Sequence, residues 1–271
     1  QQQIEQTRLY QLMQKNGFSD YDEFYRKSIE DIAWYWDEVV KDLELEWFQP
    51  YKETVNLDNG IPWARWFIEG KINVAYNCLD RHVKDPDKAD KLAVIWEGDD
   101  GEVKKYTYRE LYLAVNRFAD GLRNLGVNPG DRVAIYLPMI VENVIAMLAV
   151  ARLGAIFTPC FSGYGAAAVA SRLNDSTSKV LITADGFLRR GKTIAMKEEA
   201  DKAADQSPSI EKVVVVRRLS REIPWNDERD VEWSSLMTGS SSVPAVETNA
   251  DDPFMLIYTS GTTGRPKGTV H

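Results

Sequence analysis

Between Lys91 and Arg217 short apolar runs alternate with longer segments whose apolar residues recur every three or four positions. The runs "LAVIWE" and "VKKYTY" flank Gly98-Asp99-Asp100-Gly101, a hairpin signal because Asp and Gly tolerate positive φ. Leu111, Val115, Phe118, Leu122 and Leu125 then mark one stripe of a helix that Gly126 ends. "NPGD" turns into the strand "RVAIYL", and "VENVIAMLAVARLGA", apolar nearly all round, reads as a buried helix closed by Gly154. Beyond it "AIFTPC", "SKVLITA" and "KVVVVRR" read as strands, and "GAAAVASRLND" and "TIAMKEEADKAAD" as helices. Strands and helices alternating at these lengths predict βαβ units, hence an α/β fold with a mostly parallel sheet.

The first 90 residues follow another pattern. From about Gly17 to Glu46 apolar residues keep helical spacing, as in Phe24, Ile32, Trp36, Val40 and Leu43. From Glu46 onward the chain is aromatic-rich but irregular, with Pro50, Gly60, Pro62 and Gly70 as breakers. Five of the eight tryptophans lie at 34, 36, 47, 63 and 66. Aromatics in irregular chain bury about 150–250 Å² each by packing on a larger body. Residues 1–90 are therefore expected to form a helical, Trp-rich extension laid over a main domain of residues 91–271. Within that domain residues 218–252 are polar and read as a surface excursion, with "WSSLM" as a short helical turn. "PFMLIYTS" is the last expected strand.

Composition narrows the chemistry. A net charge of −8 argues against a nucleic-acid binder, which needs an excess of Lys and Arg to neutralise phosphates. Any anionic ligand must be gripped by a local basic cluster. Two cysteines, Cys78 and Cys160, are too few for a disulfide framework and sit in apolar sequence. They are expected to be buried free thiols in a reducing compartment. "QQQIEQTRLY" has no apolar signal core, and the longest apolar run, Val144 to Ala151, is far short of the roughly 20 residues a membrane span needs. A cytoplasmic protein with no membrane partner is the expectation. His82 in "CLDRHV" has no nucleophile motif beside it and reads as a structural hydrogen-bonding residue. No metal-ligand pattern is expected.

Two stretches carry candidate chemistry. In "LIYTSGTTGRPKGTVH", residues 256–271, a strand runs straight into a loop of Gly, Ser and Thr with one Lys. Open α/β sheets bind ligands at the carboxyl ends of their strands. Gly261, Gly264 and Gly268 let the backbone approach an oxyanion, and its N–H groups can form a nest. The hydroxyls of Thr259, Ser260, Thr262 and Thr263 add donors and Lys267 a full charge, which together make a phosphate cradle. It is not a Walker A loop: counting from Gly261, Lys267 fits, but Pro266 and Gly268 stand where that motif needs Gly and a hydroxyl residue. The second stretch is "GFLRRGKTI", where Arg189, Arg190 and Lys192 read as the start of a helix, a place the macrodipole makes unfavourable for cations. Such a cluster is either solvated or opposite an anion.

"YTSGTTGRPKG" resembles the nucleotide-binding signature of the AMP-forming acyl-activating superfamily of acyl-CoA synthetases, luciferases and peptide-synthetase adenylation domains. "WFIEGKINVAYNCLDRHV", preceded by "FYRKSIEDIAWYWDEV", is similar to the N-terminal extension of acetyl-CoA synthetases. "GVNPGDRVAIYLPM", "LGAIFTPCFSGYG" and "ITADGFLRRGKTI" continue the likeness in order, so that it runs from about Gly17 to His271. The resemblance implies the sheet layers of the adenylate-forming N-terminal domain. It implies a ligase that joins a carboxylate to the α-phosphate of ATP, releases pyrophosphate, and passes the acyl group to CoA, with Mg²⁺ in the complete enzyme.

By the same resemblance Thr259, Ser260, Gly261, Thr262, Thr263, Gly264 and Lys267 hold the ATP phosphates, with Lys267 the catalytic charge stabiliser. Arg189, Arg190, Gly191 and Lys192 face the phosphorylated adenosine end of CoA. Lys192 stands where the family more often has Arg, which loses a bidentate fork, and Arg190 is an added charge. Gly163, with Phe161, falls on a stretch that lies near the CoA adenine in relatives; a plain strand-to-helix turn is the alternative. The family's remaining contacts lie beyond the phosphate loop, so the chain resembles an N-terminal portion, expected to be inactive alone. Its partners would be small molecules. The rival reading is a non-catalytic module that binds CoA or nucleotide, or docks a partner through its Trp-rich extension. Acyl specificity and oligomeric state are not legible.

Overall fold

The computed structural model describes residues 2–259 and 266–271, and the expected strands and helices between Lys91 and Val216 are nearly all present. The chain divides into two units: one runs to Ile72 and includes Thr248–Asp252, the other is Asn73–Glu247 with the chain from Pro253 onward.

In the second unit five strands form one sheet: β1 (Arg132–Ile135), β2 (Ile156–Pro159), β3 (Val180–Ala184), β4 (Lys212–Val216) and β5 (Asp230–Glu232). Their order is β5-β4-β3-β1-β2, and every pairing is parallel. A parallel sheet is covered on both faces, so its strands need apolar residues throughout rather than alternation. The five residues of β3 and Val213–Val216 of β4 are accordingly all buried. The Tyr108–Asn124 helix packs with the Val141–Arg152 helix, and the Ala166–Ser176 helix with the Lys197–Asp205 helix. Right-handed crossovers put these two pairs on opposite faces.

Local sequence fixes the element ends. The Tyr108–Asn124 helix opens on a capping box in which Thr107 and Glu110 satisfy each other's backbone N–H. Strands Leu92–Glu97 and Val103–Thr107 pair antiparallel across the expected turn. The helix expected over "TIAMKEEADKAAD" starts only at Lys197, with Glu198 and Glu199 in its first turn. Residues Lys192–Ala195 form a strand instead, paired with Gly186–Arg189.

The first unit is helical and then irregular. The helical pattern from Gly17 to Glu46 becomes two helices, Tyr21–Glu30 and Ile32–Asp42, split at Asp31. The Asp31 carboxylate accepts the Trp34 N–H at 3.1 Å, so one residue ends the first helix and caps the second. Leu12, Met13 and Phe24 form its small core with Phe18, Trp34, Tyr35 and Val39 against them. Trp47, Tyr51 and Phe67 cluster with centroids 4.9–5.4 Å apart. Trp63 differs from the expected pattern: it sits on a short turn and is 72% exposed.

Residues 73–90 cluster with the second unit, and a buried ion pair holds them there. The Arg152 guanidinium, 2% exposed, meets Asp80 through two bonds of 2.7 and 2.9 Å. Its Nε donates to the Val243 carbonyl at 2.6 Å. In the turn Tyr76–Asp80, Asn77 and Leu79 point inward. Cys78 therefore faces outward and is exposed, against the expectation of a buried thiol, whereas Cys160 is buried as expected. The His82 ring lies 4.8 Å from that of Tyr108, in keeping with a structural residue.

Removing one partner of such a pair leaves an uncompensated buried charge. Asp80→Ala is expected to destabilise the chain by about 3–5 kcal/mol, read from the midpoint of urea unfolding. A midpoint equal to that of the unsubstituted chain would contradict this role for the Asp80–Arg152 pair.

Candidate functional site

The strand order reverses direction once. β2 lies on one side of β1, and the chain then crosses back to place β3, β4 and β5 on the other side. Beyond the carboxyl ends of β1 and β3 the loops diverge and leave a crevice, the usual binding place of such sheets. Here that crevice is a cavity of about 280 Å³. Pro138, Met139 and Ile140 after β1, Phe161 and Ser162 after β2, Phe187 to Arg189 after β3, and Arg218 after β4 line it, with Trp96 to Asp99 of the Leu92–Glu97 hairpin across the mouth. A second cavity of about 320 Å³ shares Met139, Phe161 and Ser162 with the first and extends to Cys160, Tyr164, Arg172 and Tyr258. Burial pushes the Cys160 thiol up to about 12, against a smaller opposing effect of Arg172, so it is a neutral wall of this cavity rather than a nucleophile.

Arg189, Arg190 and Lys192 do not start a helix. They form the tip of a β-hairpin in which Arg190 and Gly191 have φ of +52° and +71°. Two successive left-handed residues make the tight turn that matches strand twist, and Gly191 takes that conformation without a Cβ clash. The sequence pattern misled because the apolar residues from Phe187 to Met196 fit both periods. The macrodipole argument does not apply to a hairpin, yet the charge argument does. All three cations are exposed, and none has an acidic ion partner among the described residues.

Gly163 is a close-approach glycine: a Cβ there would lie 2.6 Å from the Phe161 ring. That ring is 59% exposed at the cavity edge and meets Tyr164 edge-on at 5.6 Å. Phe161 thus offers an aromatic face beside the basic hairpin, and both line or border one crevice.

Of the phosphate-loop residues, Ser260, Gly261, Thr262, Thr263 and Gly264 lie outside the described residues. The stem is described. Strands Leu256–Thr259 and Lys267–Val270 pair antiparallel, with Thr259 directly opposite Lys267. The second of these strands was not expected from the sequence. The stem is tied to the sheet where the Phe157 N–H of β2 donates to the Phe254 carbonyl at 3.1 Å. The Tyr258 hydroxyl donates to Asp175 at 2.6 Å. Burial, and then that carboxylate, keep the hydroxyl protonated well above the usual tyrosine range. Arg172 stacks on Tyr164 at 4.1 Å and on Tyr258 at 5.7 Å, closing the wall between stem and crevice.

Sequence reasoning missed Asp185 and Arg218. The Asp185 carboxylate, fully buried, accepts the backbone N–H groups of Arg218, Leu219 and Arg221 at 2.9–3.2 Å. This fixes the loop after β4 and sets Arg218 into the cavity wall. The available signal was position alone: each residue lies one or two places beyond an apolar strand, close to where the phosphate loop stands relative to its own strand. Among the described residues no cluster of His, Cys, Asp or Glu could hold a metal ion, and no helix is long and apolar enough to cross a membrane.

Comparison with known proteins fits this geometry. The model of the AMP-binding enzyme family matches residues 80–271, and that of the acetyl-coenzyme A synthetase N-terminus matches residues 21–78. The chain is 43% identical to acetyl-coenzyme A synthetase of Pasteurella multocida over 94% of its own length and 39% of that protein's. It is 44% identical to 3-hydroxypropionyl-coenzyme A synthetase of Sulfurisphaera tokodaii, over 93% of this chain and 38% of the relative. Acetoacetyl-CoA synthetase from Streptomyces lividans shares the fold at a TM-score of 0.89 with 28% identity, over 99% of this chain and 42% of that one. The chain thus spans about two fifths of the length of these relatives. The parallel sheet with its crevice at the β1/β3 reversal, the paired stem strands Leu256–Thr259 and Lys267–Val270 at its edge and the match over residues 80–271 agree: this chain belongs to the AMP-binding enzyme family, with an N-terminal segment of the acetyl-coenzyme A synthetase kind.

Proposed function

We propose that this chain is the N-terminal part of an AMP-forming acid–thiol ligase that activates acetate or another short-chain carboxylate with ATP and transfers the acyl group to CoA. The carboxylate oxygen bonds to the α-phosphorus of ATP as the bond to pyrophosphate breaks. The thiol of CoA then displaces AMP from the acyl carbon. In this reading Thr259 and the hydroxyl and glycine residues from Ser260 to Gly264 hold the β- and γ-phosphates, and a Mg²⁺ ion bound with ATP would supply further positive charge to them. Lys267 offsets the negative charge that grows on departing pyrophosphate, an interaction stronger in the transition state than before it. The pairing of Thr259 with Lys267 supports the assignment, since it sets a hydroxyl and an ammonium at the two ends of one short loop.

The observation that carries the CoA part of the reading is the hairpin tip. Arg189, Arg190 and Lys192 are exposed cations with no acidic ion partner among the described residues, and Arg189 borders a cavity with aromatic and apolar walls. A ligand with a phosphate beside an aromatic base fits such a site: the cations and the Gly191 turn take the phosphate, and Phe161 over Gly163 takes a ring face. The relatives carry acetyl, 3-hydroxypropionyl and acetoacetyl names, which supports a short-chain acid without choosing among them.

Two variants test the two halves. In the active ligase Lys267→Ala is expected to slow acetate-dependent pyrophosphate–ATP exchange by about 10²–10³-fold, as loss of one preorganised donor does; exchange at the unsubstituted rate would sink the assignment. Arg189→Glu is expected to weaken CoA binding at least about tenfold with exchange retained, because CoA is not needed for the first step. CoA titration curves that superimpose on those of the unsubstituted protein would remove the hairpin from the site.

A further inference from the structure

The basic hairpin faces an acidic one. Asp99, at the turn between the Leu92–Glu97 and Val103–Thr107 strands, accepts the Gly191 N–H on its Oδ2 at 3.2 Å. Gly191 lies at the centre of the cationic tip, in the left-handed conformation. Next to it Asp100 and Glu102 hold the Arg218 guanidinium at 2.6 and 3.2 Å. Arg218 in turn lies 5.1 Å above the Trp96 ring, so the acidic turn is packed in place. Gly98 has no room for a Cβ between Asp100, Trp96 and Arg218. Asp99 itself is exposed and borders the same cavity as Arg189 and Arg218.

A carboxylate accepting the backbone N–H at the tip of a cationic hairpin sits as a phosphate oxygen of a bound ligand would. We infer that Asp99 is a specificity-determining residue of this anion site: its carboxylate holds the Gly191 amide that the terminal phosphate of the ligand takes, so binding displaces it. The inference rests on the reading of the hairpin as the seat of the CoA phosphate. A phosphate monoester dianion offers more charge and more acceptor oxygens than the carboxylate, and it wins the exchange. A ligand without that phosphate leaves Asp99 where it is. Asp99 therefore lowers affinity for the phosphorylated ligand selectively. The mechanism is local, because beyond about 8 Å at physiological salt the charge is screened.

The test is to measure dissociation constants of CoA and 3′-dephospho-CoA for the unsubstituted protein and for Asp99→Ala by titration calorimetry. Asp99→Ala is expected to tighten CoA by about two- to fivefold, the scale of an exposed ionic contact, and to leave dephospho-CoA unchanged. Asp99→Asn, which keeps an acceptor but not the charge, is expected to fall between. If Asp99→Ala leaves CoA binding unchanged or weaker, or tightens both ligands equally, while the unsubstituted protein still prefers CoA, the inference is overturned and the phosphate hairpin stands. If the unsubstituted protein binds both ligands equally, or neither, the phosphate hairpin falls and the inference with it.

Discussion

The whole second unit depends on one constraint: a parallel sheet releases every strand at the same edge, and here the order of its strands reverses between β1 and β3. Neighbouring loops must part at that point, so a crevice forms without any residue being chosen to make it. What the sequence chooses is the lining. Four consecutive exits from the sheet deliver Pro138 to Ile140, Phe161 and Ser162, Phe187 to Arg189, and Arg218 to one cavity. The stem of the Gly/Thr/Lys loop stands at the β2 edge of the same sheet. Catalytic and binding groups on such a frame are positioned by strands rather than by long flexible loops.

Two carboxylates do most of the fixing, Asp185 fully buried and Asp80 partly so, and both act on backbone or guanidinium N–H groups. Asp185 collects the amides of the loop after β4, so that Arg218 reaches the crevice at a set angle. Asp80 holds Arg152 of the Val141–Arg152 helix and thereby ties residues 73–90 to the sheet domain. Such groups cannot be left unpaired, since a buried charge without a partner costs several kcal/mol. They make the positions of nearby side chains all-or-none rather than adjustable. The exposed cations at the hairpin tip are the opposite case, and their lack of fixed acidic partners is what marks them for a ligand.

How much of this was legible follows from which force set each element. β3 and β4 were plain because both their faces are covered, and "VLITA" and "VVVV" can hardly be anything else. The Tyr108–Asn124 helix was plain because its apolar stripe and terminal glycine agree, and the Thr107–Glu110 capping box that opens it adds to the same result. The segment from Phe187 to Met196 was not, because Phe187, Ile194 and Met196 suit a helix as well as a hairpin, and only the left-handed Arg190-Gly191 turn decides. Asp31 shows the same limit: nothing in the apolar spacing announces a helix break that a single capping carboxylate makes. The basic cluster was singled out by charge and given a ligand by the family resemblance, although its expected placement on a helix was wrong. Asp185, Arg218 and the Asp99–Gly191 contact join residues far apart in the chain, and single-sequence periodicity holds no information about such pairs.

The central claim is that the crevice at the β1/β3 reversal, with the Arg189–Lys192 hairpin at its mouth, is where the phosphorylated ligand sits. Amide hydrogen exchange of the chain with and without saturating CoA tests it most directly. The account predicts slowed exchange in two separate segments, the hairpin Gly186–Ala195 and the turn from Phe161 to Gly165, with the Tyr21–Asp42 helices unaffected. Protection confined to other segments, with both of these exchanging at the same rate in the presence of CoA, would contradict it.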